Sequence, residues 1–422
     1  MKSFLAACGI LLIPVSASAA LGPYVHGYGI KSLGFGGIGI GLGEETTALV
    51  ANPAHAFSLG NRYDIGLDLF APVIRGSFVG NAAGPDEKVK STSNALVFIP
   101  QGGYSRRLTD QLGLGLTVSS AGLGPDYKNR NPYRRFGGSP NASLTLTQVG
   151  LLTALAYEVA PAQSIGVSLN LVYQMLEVKG VQPFAAASRT PNRVSNQGTD
   201  GRAGTSLAIG WKGQLLPGLA AAATYNSKTF TERHQKYEGL IPNGGKLELP
   251  SRMGVGLVLS PQPQWTVALD AQRFYYHPQR ATGNGIAQLA AGNPLGSKDG
   301  PGFGLRNQNV YKLGVAWEAN PKLTLRAGYI YATQMVRPTD TLFSFLAPTT
   351  TRQHYTAGAT YLLGNWEMSG YAALAEKEGV DGQNSIPPSL GGGEANLSNQ
   401  FYAVGLSFGR RFGKTVGNGS QP

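Results

Sequence analysis

From Arg62 onward, apolar residues recur at every second position and alternate with polar or small residues. A period of two, with one apolar face and one small, polar face, is typical of a strand that lies between lipid and a lumen. The alternation recurs near residues 112–119, 206–212, 265–272, 311–317 and 323–331. It is clearest in residues 164–175, whose apolar face consists of Ile165, Val167, Leu169, Leu171, Tyr173 and Met175.

These alternations predict about fourteen strands, an even number, as bacterial membrane barrels require. Short turns such as Thr109-Asp110 and Asn320-Pro321 alternate with longer loops, which is the rhythm of tight periplasmic turns and long outer loops. The predicted fold class is therefore all-β, a transmembrane antiparallel β-barrel over residues 62–412. The predicted strands are 62–79, 93–107, 111–121, 143–158, 163–178, 203–214, 217–232, 246–260, 263–277, 308–319, 321–334, 352–363, 365–377 and 398–412.

Aromatic residues gather at the two ends of these strands. All four tryptophans lie near the proposed short turns, and five tyrosines lie toward the loop ends. Because indole and phenol rings settle at membrane–water interfaces, we predict two aromatic girdles. Their members are Trp211, Trp265, Trp317 and Trp366 on one rim, and Tyr173, Tyr225, Tyr275, Tyr329 and Tyr371 on the other.

The N-terminus indicates export. Lys2, an apolar run from Phe4 to Val15 and the small residues Ala17-Ser18-Ala19 form a signal-peptide pattern, so residues 1–19 are predicted to be removed. No later stretch approaches the ~18 apolar residues that a spanning helix needs. Glycine accounts for 59 of the 422 residues and charged residues for only 14%, which suits many turns and strands with one face away from water. These features predict a bacterial outer-membrane location.

Residues 27–54 are dense in glycine and end in Asn52-Pro53-Ala54. They lack the apolar spacing of an amphipathic helix, and their glycines make them a poor lone strand. We predict that residues 20–61 form a hatch that plugs the lumen. Residues 34–39 match the pattern G-x-G-x-x-G but follow no predicted strand, so close packing explains the glycines better than a dinucleotide site.

The net charge of +12 does not indicate nucleic-acid binding, because no basic run carries interleaved aromatic residues. The densest basic cluster, Lys128, Arg130, Arg134 and Arg135, suits contact with the phosphates of lipopolysaccharide, or is simply a solvated loop. The last strand ends in Phe412, as barrel-assembly signals do, and a polar tail, 413–422, follows it. The expected partners are a hydrophobic ligand, outer-membrane lipid, lipopolysaccharide and the barrel-assembly machinery, and the protein is expected to be a monomer.

The alternation of side chains along the strands predicts that four cations face the lumen together with three acids. They are Arg252, Lys312, Arg326 and Lys212, with Asp64, Asp68 and Asp270. Such cations can hold the carboxylate of a fatty acid through charge-assisted hydrogen bonds, with Arg326 and Lys312 as the first choices. The alternative, which we favour for most of them, is a salt-bridge network that braces hatch and wall, because acids are there to pair with. The five histidines show no metal-ligand spacing, and His354, the one tempting candidate for a hydrolase, has no obvious partner. We expect no catalytic residue, no metal and no cofactor.

Several segments, taken in order and spacing, resemble the FadL family of outer-membrane channels for hydrophobic compounds. They run from about Gly27 to Phe412 and include the glycine-rich start, Asn52-Pro53-Ala54, 112–117, 160–173, Leu249-Pro250, 263–265 and 323–329. The resemblance implies a fourteen-stranded barrel with an N-terminal hatch, and a ligand path that leaves sideways through a gap in the wall. It implies that a kink in the third strand creates this gap and that the Asn-Pro-Ala motif lies near it. The kink falls around Ser120, Gly122 and Gly124.

Residue chemistry is consistent with such a gate. Pro53 can rigidify a bend, and Asn52 can bond backbone groups that a kinked strand leaves unpaired. Gly122 and Gly124 would weaken ladder pairing where a bulge opens the wall. The alternative is that Asn52-Pro53 is an ordinary turn and that the two glycines simply begin a loop.

The expected function is passive uptake of hydrophobic compounds, long-chain fatty acids first, with lateral release gated by the hatch. One alternative is a channel of the same family for uncharged aromatic or other hydrocarbons. The others are a porin for polar solutes, an outer-membrane hydrolase, and a structural or adhesion barrel. We do not expect an enzyme.

Overall fold

The computed structural model describes residues 21–91 and 96–412. The predicted signal peptide, 1–19, and the predicted polar tail, 413–422, lie outside the described residues.

Fourteen long antiparallel strands form one closed sheet, as predicted. Each strand pairs with a neighbour in chain order, and the last pairs with the first along its whole length, from Arg62 opposite Arg411 to Val79 opposite Glu394. Three shorter strands extend the sheet locally within the described residues: Glu87–Lys90, Asp126–Tyr127 and Phe230–Thr231. The long strands are β1 Arg62–Val79, β2 Val97–Arg107, β3 Leu112–Leu123, β4 Ala142–Ala160, β5 Gln163–Lys179, β6 Asp200–Leu216, β7 Leu219–Asn226, β8 Arg252–Gln262, β9 Trp265–Phe274, β10 Gln308–Asn320, β11 Leu323–Ala332, β12 Gln353–Leu363, β13 Trp366–Val380 and β14 Glu394–Arg411.

The alternation of side chains sets the two faces of the wall. In β5, Val167 is 53% exposed on the outside, whereas Ser168 is 5% exposed on the inside. An apolar outer face and a small, polar inner face match a barrel that meets lipid. The largest error in strand ends lies between β7 and β8. The prediction carries β7 to residue 232 and starts β8 at 246. Residues 227–251 instead form an outer loop, interrupted by the short strand Phe230–Thr231, and a hydrogen bond from Thr229 N to Leu249 O closes it.

Aromatic side chains cluster at the short-turn end of the wall. Trp265 and Trp317 lie opposite each other in the β9–β10 ladder, and their rings stack with centroids 5.8 Å apart. Trp366 pairs with Arg410 at the same end. The prediction that Tyr371 belongs to the opposite aromatic girdle is wrong. Tyr371 is 6% exposed and faces the lumen, where its hydroxyl donates a hydrogen bond to the Asp68 carboxylate.

Residues 21–61 lie against the inner face of the wall. They contain three short helices, Ile30–Gly34, Thr46–Val50 (a 3-10 helix) and His55–Ser58, and nearly all of their residues are buried. Backbone meets backbone at Gly328 of β11, where an added Cβ would lie 2.0 Å from Gly36 N. Glycine on both sides is what allows this approach. We call residues 21–61 the hatch segment.

The outer loops pack over the barrel around a large apolar core that includes Phe78, Tyr133, Phe184 and Phe345. Among the described residues, no helix has both the length and the apolar character needed to cross a membrane. The helical turns of these loops are Arg134–Phe136, Gln182–Ala187, Pro191–Arg193, Gln235–Tyr237, Pro242–Gly245, Arg280–Gly283, Ala287–Ala290, Pro338–Asp340, Thr341–Ser344 and Pro388–Leu390.

Candidate functional site

The wall has an interruption between β2 and β3. Their ladder runs only from Gly103 opposite Thr117 to Arg107 opposite Gly113. Beyond this point β3 continues to Leu123 with β4 as its partner, and β2 continues to Val97 with β1 as its partner. The facing backbone edges of residues 97–102 and 118–123 are therefore not paired with each other. We call this interruption the lateral gap.

The lateral gap does not arise from the predicted bulge. The β3–β4 ladder runs from Leu112 to Leu123 without a register shift, with Gly122 opposite Thr147, and Gly124 follows the end of the strand. The expectation of a glycine bulge is therefore wrong, and the gap forms because β2 diverges from β3. Gly122 still has a role at this edge, because its N–H donates to Pro23 O of the hatch segment at 2.7 Å.

The hatch segment closes the lateral gap from inside. A cavity of only about 10 Å³ lies behind the gap, between Val25, Tyr28 and Thr47 of the hatch segment and Val118 and Ser120 of β3. A space of this size holds at most one water molecule. The hatch segment therefore packs closely against the inner side of the gap.

A second, larger cavity lies between the hatch segment and the wall strands β3 to β8. Its volume is about 40 Å³, and its lining is mostly polar, with Ser119, Gln148, Asn170 and Asn226 among the wall residues. We call it the Arg252 cavity, after the cation that lines it. Tyr28 and Ser120 line both this cavity and the small one behind the gap. Tyr28 of the hatch segment thus stands between the Arg252 cavity and the lateral gap.

Arg252 of β8 is buried and held by neutral groups. Its Nη1 donates to the Tyr28 hydroxyl at 3.1 Å, and its Nη2 donates to Val50 O at 2.9 Å and to Asn226 Oδ1 at 3.2 Å. The guanidinium also lies 4.9 Å from the centre of the Tyr24 ring. A guanidinium has five N–H donors, so these contacts engage three of them. In the part of the chain that the structure describes, no carboxylate forms a salt bridge with Arg252.

Arg326 and Lys312, the first choices for ligand contact, are engaged by the hatch segment instead. Arg326 Nη2 lies 2.6 Å from Glu44 Oε1, and its Nη1 donates to Thr360. Lys312 donates to Gly37 O at 2.7 Å. Burial alone would raise the pKa of Glu44, but Arg326 and Lys31 hold that pKa below its ordinary value. These two cations brace hatch and wall.

Carboxylates of the wall hold the hatch segment in the same way. Asp270, opposite Lys312 in the β9–β10 ladder, accepts hydrogen bonds from Gly39 N and Ile40 N, both at 2.9 Å. Asp64 accepts from Thr46 N at 2.8 Å. A further ion pair joins Lys31 of the hatch segment to Glu367 of β13.

Glu45 is the buried acid of the hatch segment that meets no salt-bridge partner among the described residues. Its Oε1 accepts from Lys31 N at 2.7 Å. Burial, followed by the neighbouring Asp64 carboxylate, raises the pKa of Glu45 to about 7.

The Asn52-Pro53-Ala54 motif lies away from the lateral gap. Asn52 Nδ2 donates to Ile40 O and to Trp211 O of β6, each at 3.1 Å. An added Cβ at Gly166 of β5 would lie 2.4 Å from Ala54 N. The expectation that Asn52 bonds the free backbone of the kinked strand is wrong, because both of its amide hydrogens point elsewhere. The motif anchors the hatch segment to β5 and β6, near the short-turn end.

His354 lies in a buried aromatic cluster of the lumen. Its ring centroid is 5.7 Å from that of His26 and 5.0 Å from that of Phe401. Within residues 21–91 and 96–412, neither ring nitrogen of His354 has a hydrogen-bond partner, so no serine or aspartate orients it as a triad requires. The same residues contain no group of three or more metal-ligating side chains.

An apolar pocket of about 30 Å³ lies under the outer loops. Its lining is almost entirely carbon and includes Leu144, Phe184, Ile241, Leu295 and Phe343. The hatch segment connects this region with the Arg252 cavity, because Tyr24 belongs to the apolar core beneath the loops and also lines that cavity.

Sequence reasoning missed Tyr24 and Tyr28. Both lie in the hatch segment, and Tyr28 stands between Gly27 and Gly29. An aromatic residue between two glycines was the available signal, since it marks a large side chain on a backbone free to fold closely. This signal did not indicate that Tyr28 would contact Arg252 of the wall.

Comparisons with known proteins agree with this architecture. The model of the family described as outer membrane protein transport protein (OMPP1/FadL/TodX) matches residues 44–412. The fold is similar to that of the Pseudomonas putida toluene transporter TodX, with 21% identity over 92% of this chain and 100% of that chain, and a TM-score of 0.69. It is also similar to a Pseudomonas aeruginosa FadL homologue, with 14% identity, 93% and 100% coverage, and a TM-score of 0.70. No curated protein matches the sequence at a significant level.

Proposed function

The chain belongs to the outer membrane protein transport protein (OMPP1/FadL/TodX) family, and from that premise we propose that it takes up long-chain fatty acids by passive diffusion and releases them sideways into the outer membrane. In this proposal the ligand first meets the apolar pocket under the loops, then the Arg252 cavity, and leaves through the lateral gap when the hatch segment moves.

The observation that carries the choice of ligand is the state of Arg252. Of the three lumen cations predicted to contact ligand, Arg326 is paired with Glu44, and Lys312 donates to Gly37 O of the hatch segment with Asp270 opposite it in the ladder. Arg252 has only neutral partners among the described residues and lines a cavity. A buried guanidinium without a carboxylate beside a cavity is suited to a carboxylate from outside. A long-chain fatty acid supplies that carboxylate together with a tail for the apolar pocket.

The hatch segment must move for this ligand to pass. The Arg252 cavity, at about 40 Å³, is far smaller than an alkyl chain. Tyr28 is the side chain between this cavity and the gap, and its hydroxyl accepts from Arg252. If a ligand carboxylate accepts the hydrogen bond from Arg252 Nη1, the hydrogen bond between Arg252 and the Tyr28 hydroxyl is lost. We propose that ligand binding and opening of the lateral gap are coupled through this exchange.

Lateral exit follows from the solubility of the ligand. An alkyl chain released into water loses ~0.8 kcal/mol for each CH₂ that becomes hydrated. A path that opens sideways into lipid keeps the chain out of water throughout.

A second candidate ligand is an uncharged aromatic hydrocarbon. The apolar pocket under the loops supports it, because its lining offers almost no polar group. Two similar structures are of toluene transporters, TodX from Pseudomonas putida and TbuX from Ralstonia pickettii, the latter with 17% identity, 92% and 99% coverage, and a TM-score of 0.63.

The variant Arg252→Gln distinguishes the two candidates. Binding of a long-chain fatty acid and of toluene is measured on the purified full-length barrel in detergent. Loss of a hydrogen bond to a charged group costs about 1.5–3 kcal/mol, so the affinity for the fatty acid falls by roughly 10- to 150-fold. Toluene affinity stays unchanged. The control is Arg273→Gln, which removes an outward-facing arginine of β9 that lies opposite Met253.

Equal fatty-acid affinity in Arg252→Gln and wild type excludes Arg252 as the carboxylate partner. Toluene binding with no fatty-acid binding in wild type favours the hydrocarbon candidate. The coupling has its own test, since Tyr28→Phe removes the hydroxyl but keeps the ring. This variant is expected to speed release of either ligand into liposome membranes, and a rate equal to that of wild type excludes the exchange.

A further inference from the structure

A basic groove of about 900 Å³ lies at the outer end of the wall, apart from the ligand path. It is formed by the upper ends of β1, β13 and β14, the short strand Glu87–Lys90 and the loop that follows β3. We define the basic groove by its cations, which are Arg75, Lys88, Lys90, Arg130, Arg134 and Lys377.

The strand cations of the groove lie on the outward face of the barrel wall. In β1, Arg75 alternates with Ile74, which is buried inside. In β14, Asn396 and Ser398 of the less buried face line the groove, and the buried Leu397 between them also contributes to its lining. Because side chains of a strand alternate between the faces, the strand cations of the groove belong to the outward face.

The height of the groove places it at the level of the outer-leaflet head groups. Trp366 marks the opposite girdle and pairs with Arg410, and Ser398 lies 12 residues before Arg410 (410 − 398) on the same strand. At ~3.3 Å per residue and a tilt of ~40°, the two levels are roughly 30 Å apart along the membrane normal. The apolar band of such barrels is ~25 Å tall, so the groove lies just above it.

The charge of the groove is strongly positive and mostly uncompensated. Its six cations stand against two acids, Glu87 and Asp381, which leaves +4 (6 − 2). Glu87 is already contacted by Arg135, at 3.4 Å. Arg75 donates to the Gln400 side chain, a neutral group. Among the described residues, none of the six cations forms a salt bridge with an acid.

We propose that the basic groove binds the phosphate groups of lipopolysaccharide. Guanidinium and ammonium groups are the usual ligands of phosphate, and at this height the phosphates of the outer leaflet face the wall. Arg130 and Arg134 reach the groove from the loop that follows β3. The other four cations come from β1, the short strand Glu87–Lys90 and β13. Phosphate binding at the groove is independent of the identity of the transported ligand.

The test compares lipid A that carries both phosphates with dephosphorylated lipid A of the same acyl composition. Binding to the purified full-length barrel in detergent is measured by native mass spectrometry at several salt concentrations. The test variant is Lys88→Gln/Lys90→Gln/Arg130→Gln/Arg134→Gln. The matched control removes four exposed outer-loop cations that lie outside the groove, as Arg189→Gln/Arg193→Gln/Arg233→Gln/Lys298→Gln.

Wild type and the matched control are expected to bind diphosphoryl lipid A equally. The groove variant is expected to bind it at least about tenfold more weakly, and with a shallower salt dependence, because each cation near an anionic lipid surface contributes a severalfold gain. All proteins are expected to bind dephosphorylated lipid A equally weakly. Should the quadruple variant not fold, Lys88→Gln/Lys90→Gln removes two groove cations and is expected to lose about half of the effect on a logarithmic scale.

Three results overturn the proposal. The first is equal affinity of the groove variant and wild type for diphosphoryl lipid A. The second is an equal loss in the matched control, which indicates general surface charge. The third is equally tight binding of dephosphorylated lipid A to wild type, which indicates acyl-chain contact alone.

Discussion

The substitution Asn52→Ala tests how the hatch segment is anchored. Asn52 is fully buried, and its side chain makes three hydrogen bonds. It donates to Ile40 O and Trp211 O, and its Oδ1 accepts from Ala54 N at 3.0 Å. Alanine removes all three and leaves Ile40 O and Trp211 O without this donor.

The size of the effect follows from the number of bonds. A neutral hydrogen bond contributes about 1 kcal/mol net, so the three bonds stabilise the seated hatch segment by roughly 3 kcal/mol. Since 1.4 kcal/mol is a factor of ten, Asn52→Ala is expected to raise the population of the released segment roughly 100-fold. Asn52→Asp has the same shape but turns a carboxylate toward two carbonyl oxygens, so its effect is expected to be at least as large.

Hydrogen exchange followed by mass spectrometry measures this population directly. Exchange of residues 48–60 is expected to accelerate roughly 100-fold in Asn52→Ala, while exchange of the strand β10 stays at the wild-type rate. Gly210→Ala approaches the same contact from the wall, since its added Cβ would lie 1.9 Å from Asn52 Oδ1, and is expected to act in the same direction. The control is Asn365→Ala in an exposed short turn. Wild-type protection of residues 48–60 in Asn52→Ala would refute the anchoring role.

Two further predictions concern charges of the hatch segment. Glu45 has its folded-state pKa raised from 4.5 to about 7, so its contribution to stability is fully present below pH 4.5 and is lost as pH rises through 7. The loss amounts to about 3 kcal/mol. Hydrogen exchange of residues 44–47 is therefore expected to accelerate between pH 4.5 and 7 by more than the intrinsic pH dependence of exchange. The variant Glu45→Gln is expected to lose this additional acceleration. If the additional acceleration persists in Glu45→Gln, Glu45 is not its source. The pair Arg326–Glu44 is expected to show a coupling free energy of about 1–3 kcal/mol in a double-mutant cycle of Arg326→Met and Glu44→Gln, read by the same exchange. A coupling near zero would mean that the pair does not brace the hatch segment.

The sequence predicted the wall well because each strand carries its own pattern. In β5 and β10, the alternation of apolar and polar residues indicates which side of the strand meets lipid. Each residue contributes to this pattern independently. Fourteen strands, their order and the inward direction of Arg252, Lys312 and Arg326 therefore follow from local information. Tyr371 is the exception among the predicted girdle tyrosines, because a phenol is equally at home at an interface and beside a buried carboxylate such as Asp68.

The family resemblance, and not the strand pattern, implied a kink near residues 119–124 of β3, and the structure shows no register shift there. A bulge is a local event that glycines can indicate, whereas the observed gap is the end of a ladder between two strands. Whether the edge of β3 is hydrogen-bonded depends on the path of β2 as well as on β3 itself. The sequence of residues 119–124 therefore does not indicate where β2 diverges from β3. The same reasoning explains the error for Asn52, whose acceptor Trp211 lies 159 residues further along the chain.

The amino-acid pattern by itself determined a lipid-facing barrel, its outer-membrane location and its polar lumen, because the solvent on each side of a strand selects residues one by one. Only the tertiary structure decided that Arg252 meets neutral groups beside a cavity, which hatch side chain stands before the opening and which distant cations share the basic groove. These features depend on contacts between segments that are far apart in the chain, and the path of a glycine-rich segment through a closed barrel is set by the wall around it.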